Sequence, residues 1–168
     1  VLASAVSVAS LFMTNTDVVQ VKGRQSDSRT LSTQGAALLD TMPVVVLQNR
    51  YSASAAEVLA SSLQAQKRAT ILGEVSYGKG SVQSVIPLND EQAVKLTVAH
   101  YMTASGKKID GVGVAPDVTL TGSESTWEQQ TLDLLRKKAL PSGVRFVRKP
   151  QAANNSNQDD TNTKVVKN

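Results

Sequence analysis

Residues 43–74 carry the pattern that most narrows the fold. "PVVVLQN" (43–49) is a short β-branched run and predicts a buried strand. Residues 54–67 switch to helical spacing, with Ala56, Leu59, Ala60 and Leu63 on one face. "ATILGE" (69–74) reads as a second short strand. Strand, helix and strand in this order imply a βαβ-type unit with a right-handed crossover. The fold class that follows is mixed α/β.

The flanking segments extend this frame. Residues 3–13 read as an amphipathic helix: Ser4, Ser7 and Ser10 recur on one side, while Ala5, Val6, Ala9, Phe12 and Met13 lie elsewhere. "DVVQVKG" (17–23), "VQSVIPL" (82–88) and "AVKLTVAHYMT" (93–103) read as strands. "RQSDSRTLSTQG" (24–35) reads as a polar loop, and "ASGKK" (104–108) as a hairpin-type turn. "DGVGVAPDVTL" (110–120) is extended and broken by Gly and Pro. A last helix is expected over 126–140, with Trp127, Leu132, Leu135 and Ala139 apolar. Residues 1–140 then make one core, and 141–168 a basic, then polar, low-complexity tail expected to be disordered. No apolar run approaches the roughly 18 residues that a membrane-spanning helix needs. A chain that opens on a helix, without Met, is expected to be a piece of a longer protein.

Charge and composition exclude several classes. Residues 136–150 hold six Lys/Arg and no Asp/Glu, within a chain of net charge +4. Such a patch can attract nucleic acid or anionic lipid. With 4% aromatics and no nucleic-acid-binding motif, a solvated basic tail is the better reading, and no nucleic-acid partner is expected. The absence of cysteine rules out disulfides, a thiolate zinc site and a Cys nucleophile. The carboxylates show no ligand-like spacing, so no metal is expected.

Candidate chemistry centres on "NRYSASAAEVLASSLQ" (49–64). Ser54 and Glu57 form an S-x-x-E capping box, an ordinary helix start. The same position also suits a nucleophile, because free N–H groups and the helix dipole there favour an oxyanion. Local pattern leaves both open. A Ser-His-Asp triad would need His100, the single histidine, which lies within a strand-like run and has no motif around it. "GEVSYGKGS" (73–81) has the spacing of a phosphate loop, but Gly80 stands where Ser or Thr should hold magnesium, and "SVQSVIPL" is β-like instead of helical. A Ser/Lys pair is the remaining option. Serine needs a base, and lysine becomes one when desolvation disfavours its ammonium. Gly78 and Gly80 flank Lys79 and could let the backbone aim it inward, but spacing alone favours an exposed turn lysine.

The stretch "NRYSASAAEVLASSLQAQKRATILGEVSYGKGSVQSVIPL" resembles the core of the C-terminal processing peptidases, or tail-specific proteases. The signature of that family is S-A-S-A/S-x-E, a helix ending near R-A, a strand with a Gly, then F/Y-G-K-G-x-V-Q. "LTVAHYMTASGKKIDGVGVAPDV" is similar to its strand, turn and G-x-G-x-x-P-D segment, so the likeness covers roughly residues 1–120. The resemblance implies a crotonase- or ClpP-like arrangement of ββα units, incomplete here at the N-terminus. It implies a serine endopeptidase cleaving proteins near apolar C-terminal tails, with no cofactor. Ser54 would be the nucleophile and Lys79, 25 positions later, the general base. Gln83 would orient the lysine, and the backbone N–H of Ala55 would be one oxyanion donor. Asp117 of the P-D segment is expected to be structural. The partners implied are protein or peptide substrates, an upstream PDZ-like domain, and N-terminal core segments carrying a second oxyanion Gly; an oligomer is compatible with this. The location implied is the bacterial periplasm or cell envelope. The alternative from another class is a catalytically silent scaffold or adaptor.

Overall fold

The computed structural model describes residues 2–23 and 28–136. Its elements are α1 (Leu2–Ser10), β1 (Asp17–Gly23), β2 (Ser28–Ser32), β3 (Val44–Gln48), α2 (Ala55–Ala65), β4 (Ala69–Gly73), β5 (Ser81–Pro87), β6 (Ala93–Thr103), β7 (Val118–Thr119) and α3 (Trp127–Arg136). The expected tail (141–168), and the end of the last expected helix, lie outside the described residues.

The strands form two sheets. One is four-stranded and antiparallel, in the order β2-β1-β6-β5. The other is three-stranded and parallel, in the order β3-β4-β7. β3, α2 and β4 make the βαβ unit expected from residues 43–74. Apolar burial explains why the pieces meet. Ala5, Val6, Ala9 and Met13, at and just after α1, join Val18 and Val19 of β1, Val58, Ala60 and Leu63 of α2, and Ala69 and Ile71 of β4 in one core. The other face of β4 buries Leu72 against Leu120 and Trp127. β4 is therefore buried at every position, as a central parallel strand covered on both faces should be.

Four expectations shift. β3 is only partly buried, and Leu47 is 45% exposed, because β3 is an edge strand. The polar stretch 24–35 contains β2, whose "SRTLS" looks loop-like because it too is an edge strand and mostly exposed. On α2, Ala56 is exposed while Glu57 and Val58 are buried. The helix meets α1, β1, β4 and β6, so its buried arc is wider than the stripe read from spacing. α3 begins at Trp127, after a short 3₁₀ turn over Glu124–Thr126.

Asp117 does structural work, as its place in the P-D segment suggested. Its Oδ2 accepts the Ile71 amide at 2.7 Å and its Oδ1 accepts Gln64 Nε2 at 2.9 Å, while its own amide donates to the Ile71 carbonyl at 2.7 Å. These bonds pin the segment leading into β7 alongside β4. Asp117→Ala is expected to cost about 1 kcal/mol, roughly 2–4 °C in a thermal melt, since the site is partly exposed. A melt unchanged to within error would show that the bonds are replaceable by water.

Candidate functional site at the carboxyl ends of the parallel strands

Parallel strands deliver their loops to the same end, and β3 and β4 send out the two segments of interest there. Residues 49–54 leave β3 and residues 74–80 leave β4. The loops are stitched together from the base upward. Buried Gln48 donates through Nε2 to the Glu74 carbonyl at 2.8 Å and the Val114 carbonyl at 2.7 Å. The Glu74 amide returns a bond to the Gln48 carbonyl at 3.1 Å, and the Tyr77 amide donates to the Ser52 carbonyl at 2.9 Å.

Ser54 stands at the tip of the first loop, half-buried, at the N-terminus of α2. Its backbone sits at φ 58°, ψ −117°. Ordinary N-caps occupy the β region. A non-glycine residue held here costs on the order of 1–3 kcal/mol and persists only where its surroundings over-determine it. The surroundings do so: the Ser54 amide donates to Glu57 Oε2 at 2.8 Å, and the Ser54 carbonyl accepts the Val58 amide at 3.0 Å. The next amide, that of Ala55, donates to no acceptor among the described residues. A free helix N-terminal N–H beside a hydroxyl is what an oxyanion site requires.

Glu57 is the residue whose part the sequence concealed. It is fully buried and sits among four donors. Oε2 accepts the amides of Ser54 and Lys79, both at 2.8 Å. Oε1 accepts the Gly78 amide at 2.6 Å and Ser76 Oγ at 2.5 Å. Ser76 Oγ in turn accepts the Val114 amide at 2.7 Å. A buried carboxyl group is tolerable when its acceptor capacity is filled in this way. The capping-box reading anticipates only the bond to the Ser54 amide. The remaining bonds cross to the second loop, so one carboxyl group fixes the backbone of both Ser54 and Lys79. The available signal was an acidic residue beside the apolar face of α2.

The Lys79 loop is moulded against residues 110–113. Gly78 is at φ +87°, and a Cβ on it would meet the Gly113 nitrogen at 3.0 Å. A Cβ on Gly80 would come within 2.4 Å of the Asp110 nitrogen and 2.8 Å of its Cα. The glycines thus serve close backbone approach; they do not bury the lysine, because Lys79 is exposed while its glycine neighbours are buried. Gly80→Ala must push the loop off Asp110, an overpacking cost of about 1–3 kcal/mol, or roughly 2–12 °C in a thermal melt. A melt unchanged to within error would show that the loop has room to give.

Tyr51, Ala53, Tyr77, Gly78, Lys79, Ser81 and Asp110 line a cleft of about 500 Å³ beside Ser54. The structure thus brings the Ser54 and Lys79 backbones onto one carboxylate oxygen. It does not join their side chains: no hydrogen bond links Ser54 Oγ to Lys79 Nζ among the described residues. Gln83 is exposed on the edge strand β5, beside a β-bulge between Val82 and Gln83. Its side chain makes no hydrogen bond among the described residues. β5 follows Gly80 directly, so no helix N-terminus cradles a phosphate there and the phosphate-loop reading fails. His100, in β6 opposite Ser81, points Nδ1 at Asp110 Oδ2, 3.5 Å away.

The sequence model of peptidase family S41 matches residues 1–120. A carboxy-terminal-processing protease from Bartonella bacilliformis is 43% identical over 120 residues, covering 71% of this chain and 28% of that protein. A chloroplastic C-terminal processing peptidase from Tetradesmus obliquus is 41% identical over 117 residues, covering 70% of this chain and 25% of its own. Among solved structures, a photosystem II D1 C-terminal processing protease superposes with a TM-score of 0.65 at 40% identity, over 71% of this chain and 31% of that one. A putative S41 protease from Bacteroides fragilis shares the fold at 14% identity, with a TM-score of 0.64. The chain therefore spans about a quarter to a third of the length of the relatives named first.

Proposed function

The chain belongs to peptidase family S41, and from that premise we propose that it carries the nucleophile and base of a serine endopeptidase that cuts proteins near their C-terminal tails. The observation that carries the reading is the strained backbone of Ser54, anchored through Glu57 to the loop bearing Lys79. An ordinary capping serine needs neither the strain nor the second loop.

The chemistry runs in two halves. Neutral Lys79 takes the Ser54 hydroxyl proton as Oγ attacks the scissile carbonyl. The Ala55 amide holds the oxyanion, together with a donor from a segment outside this chain. The Lys79 ammonium then protonates the leaving amine, and the peptide bond breaks to leave an acyl-Ser54. Neutral again, Lys79 deprotonates a water that attacks the ester, and the proton returns to Ser54. Gln83 would orient the lysine. A lysine base has to be shielded from water, and Lys79 is exposed here; we assign its shielding to bound substrate and to the segments that complete the protein. The same reading takes the βαβ unit as part of a crotonase-like repeat, and places the whole protein in the bacterial envelope.

A fluorophosphonate probe tests the proposal on the full-length protein. Labelling is expected in the wild type and not in Ser54→Ala, with Lys79→Ala labelling far more slowly. A wild type that is folded but unlabelled overturns the reading and favours a silent scaffold.

A further inference from the structure

The Lys79 loop is held on both sides. From one side Glu57 takes the amides of Gly78 and Lys79. From the other, Asp110 Oδ1 accepts the next amide, that of Gly80, at 3.2 Å, and the Gly111 amide donates to the Gly78 carbonyl at 2.8 Å. Three consecutive amides, two before and at the lysine and one after it, are thus each bound to a carboxyl oxygen. Asp110 is itself steadied. Its Oδ2 lies 3.5 Å from His100 Nδ1, a contact longer than a hydrogen bond, to a nitrogen that is shielded from water and makes none. The Gly80 carbonyl accepts the amide of Tyr101, the residue after His100, which closes the contact from the β6 side. Asp110 also lines the same cleft as Lys79.

We infer that Asp110, steadied by His100, is a positioning residue: it fixes the exit of the Lys79 loop and so sets the reach of the amine toward Ser54. The role rests on the Ser54–Lys79 reading, and it needs the Oδ1 acceptor rather than the charge. Asparagine keeps that acceptor, and its amide can still donate to His100 Nδ1. Alanine loses both contacts.

The experiment measures the second-order rate of fluorophosphonate labelling, and kcat and KM on a peptide with an apolar tail, in the full-length protein. Asp110→Ala is expected to slow labelling and kcat about 10- to 100-fold with KM little changed, the scale of a small misplacement of a catalytic group. Asp110→Asn is expected to recover most of that loss. His100→Phe is expected to fall between wild type and Asp110→Ala. Labelling rates in Asp110→Ala equal to wild type overturn the inference, as does an Asp110→Asn variant that is folded, by an unchanged melt, yet as slow as alanine. Absence of any Ser54-dependent labelling in the wild type overturns instead the Ser54–Lys79 reading beneath it.

Discussion

Ser54→Ala and Lys79→Ala are each expected to lower kcat by on the order of 10⁴- to 10⁶-fold in the full-length protein, with little change in thermal stability. Neither side chain is part of the core. The loss is chemical: without Oγ there is no acyl intermediate, and without Nζ no group takes the serine proton. In the proposed mechanism the two act as one unit, so the double variant is expected to be no slower than the slower single. Lys79→Arg is expected to fail as well, since a guanidinium stays protonated near neutral pH and cannot be a base. Steady-state assays on a substrate with an apolar C-terminus check all four. Turnover within tenfold of wild type in either alanine variant would sink the dyad.

Glu57→Ala is expected to damage both the fold and the chemistry. It strands four buried or half-buried donors: the amides of Ser54, Gly78 and Lys79, and Ser76 Oγ. A group left unsatisfied in this way costs about 1–3 kcal/mol. Water entering the cavity recovers part of the sum, so the expected net loss is about 3–5 kcal/mol, or roughly 6–20 °C in a melt. Glu57→Gln is the sharper probe. Its amide keeps one acceptor oxygen and turns two donors toward other donors. Whichever way it lies, it repels either the Ser54 and Lys79 amides or the Gly78 amide and Ser76 Oγ. Loss of kcat exceeding what the fraction unfolded accounts for is the expected signature, read by kinetics and calorimetry on the same preparation. A Glu57→Gln variant with wild-type kcat and melting temperature would show that the contacts are ornamental.

The parts of this molecule that local pattern encodes were legible in its sequence. β-branched runs separated by a helical period announced β3, α2 and β4, and the serine spacing announced the sheltered side of α1. β2 was hidden because an exposed edge strand carries no alternating apolar face. The site was legible in pieces. Ser54 stood out as a helix start that could be a cap or a nucleophile, and only the family resemblance tied it to Ala55, Lys79 and Gln83. Glu57 was read as a local cap because its other partners lie 19 to 22 residues away, beyond the reach of any helical period. His100 looked partnerless for the same reason: Asp110 meets it only after the chain has turned at 104–108. The glycines around Lys79 were recognised as permissive, but spacing could not say that they make room for backbone instead of turning the lysine inward.

Because one oxygen of Glu57 holds the amides of both Ser54 and Lys79, the two backbones are joined only while β3, α2 and β4 are packed. An unfolded chain holds its serine and its lysine as unrelated side chains. In the proposed mechanism, folding is the step that brings the serine and lysine loops into register.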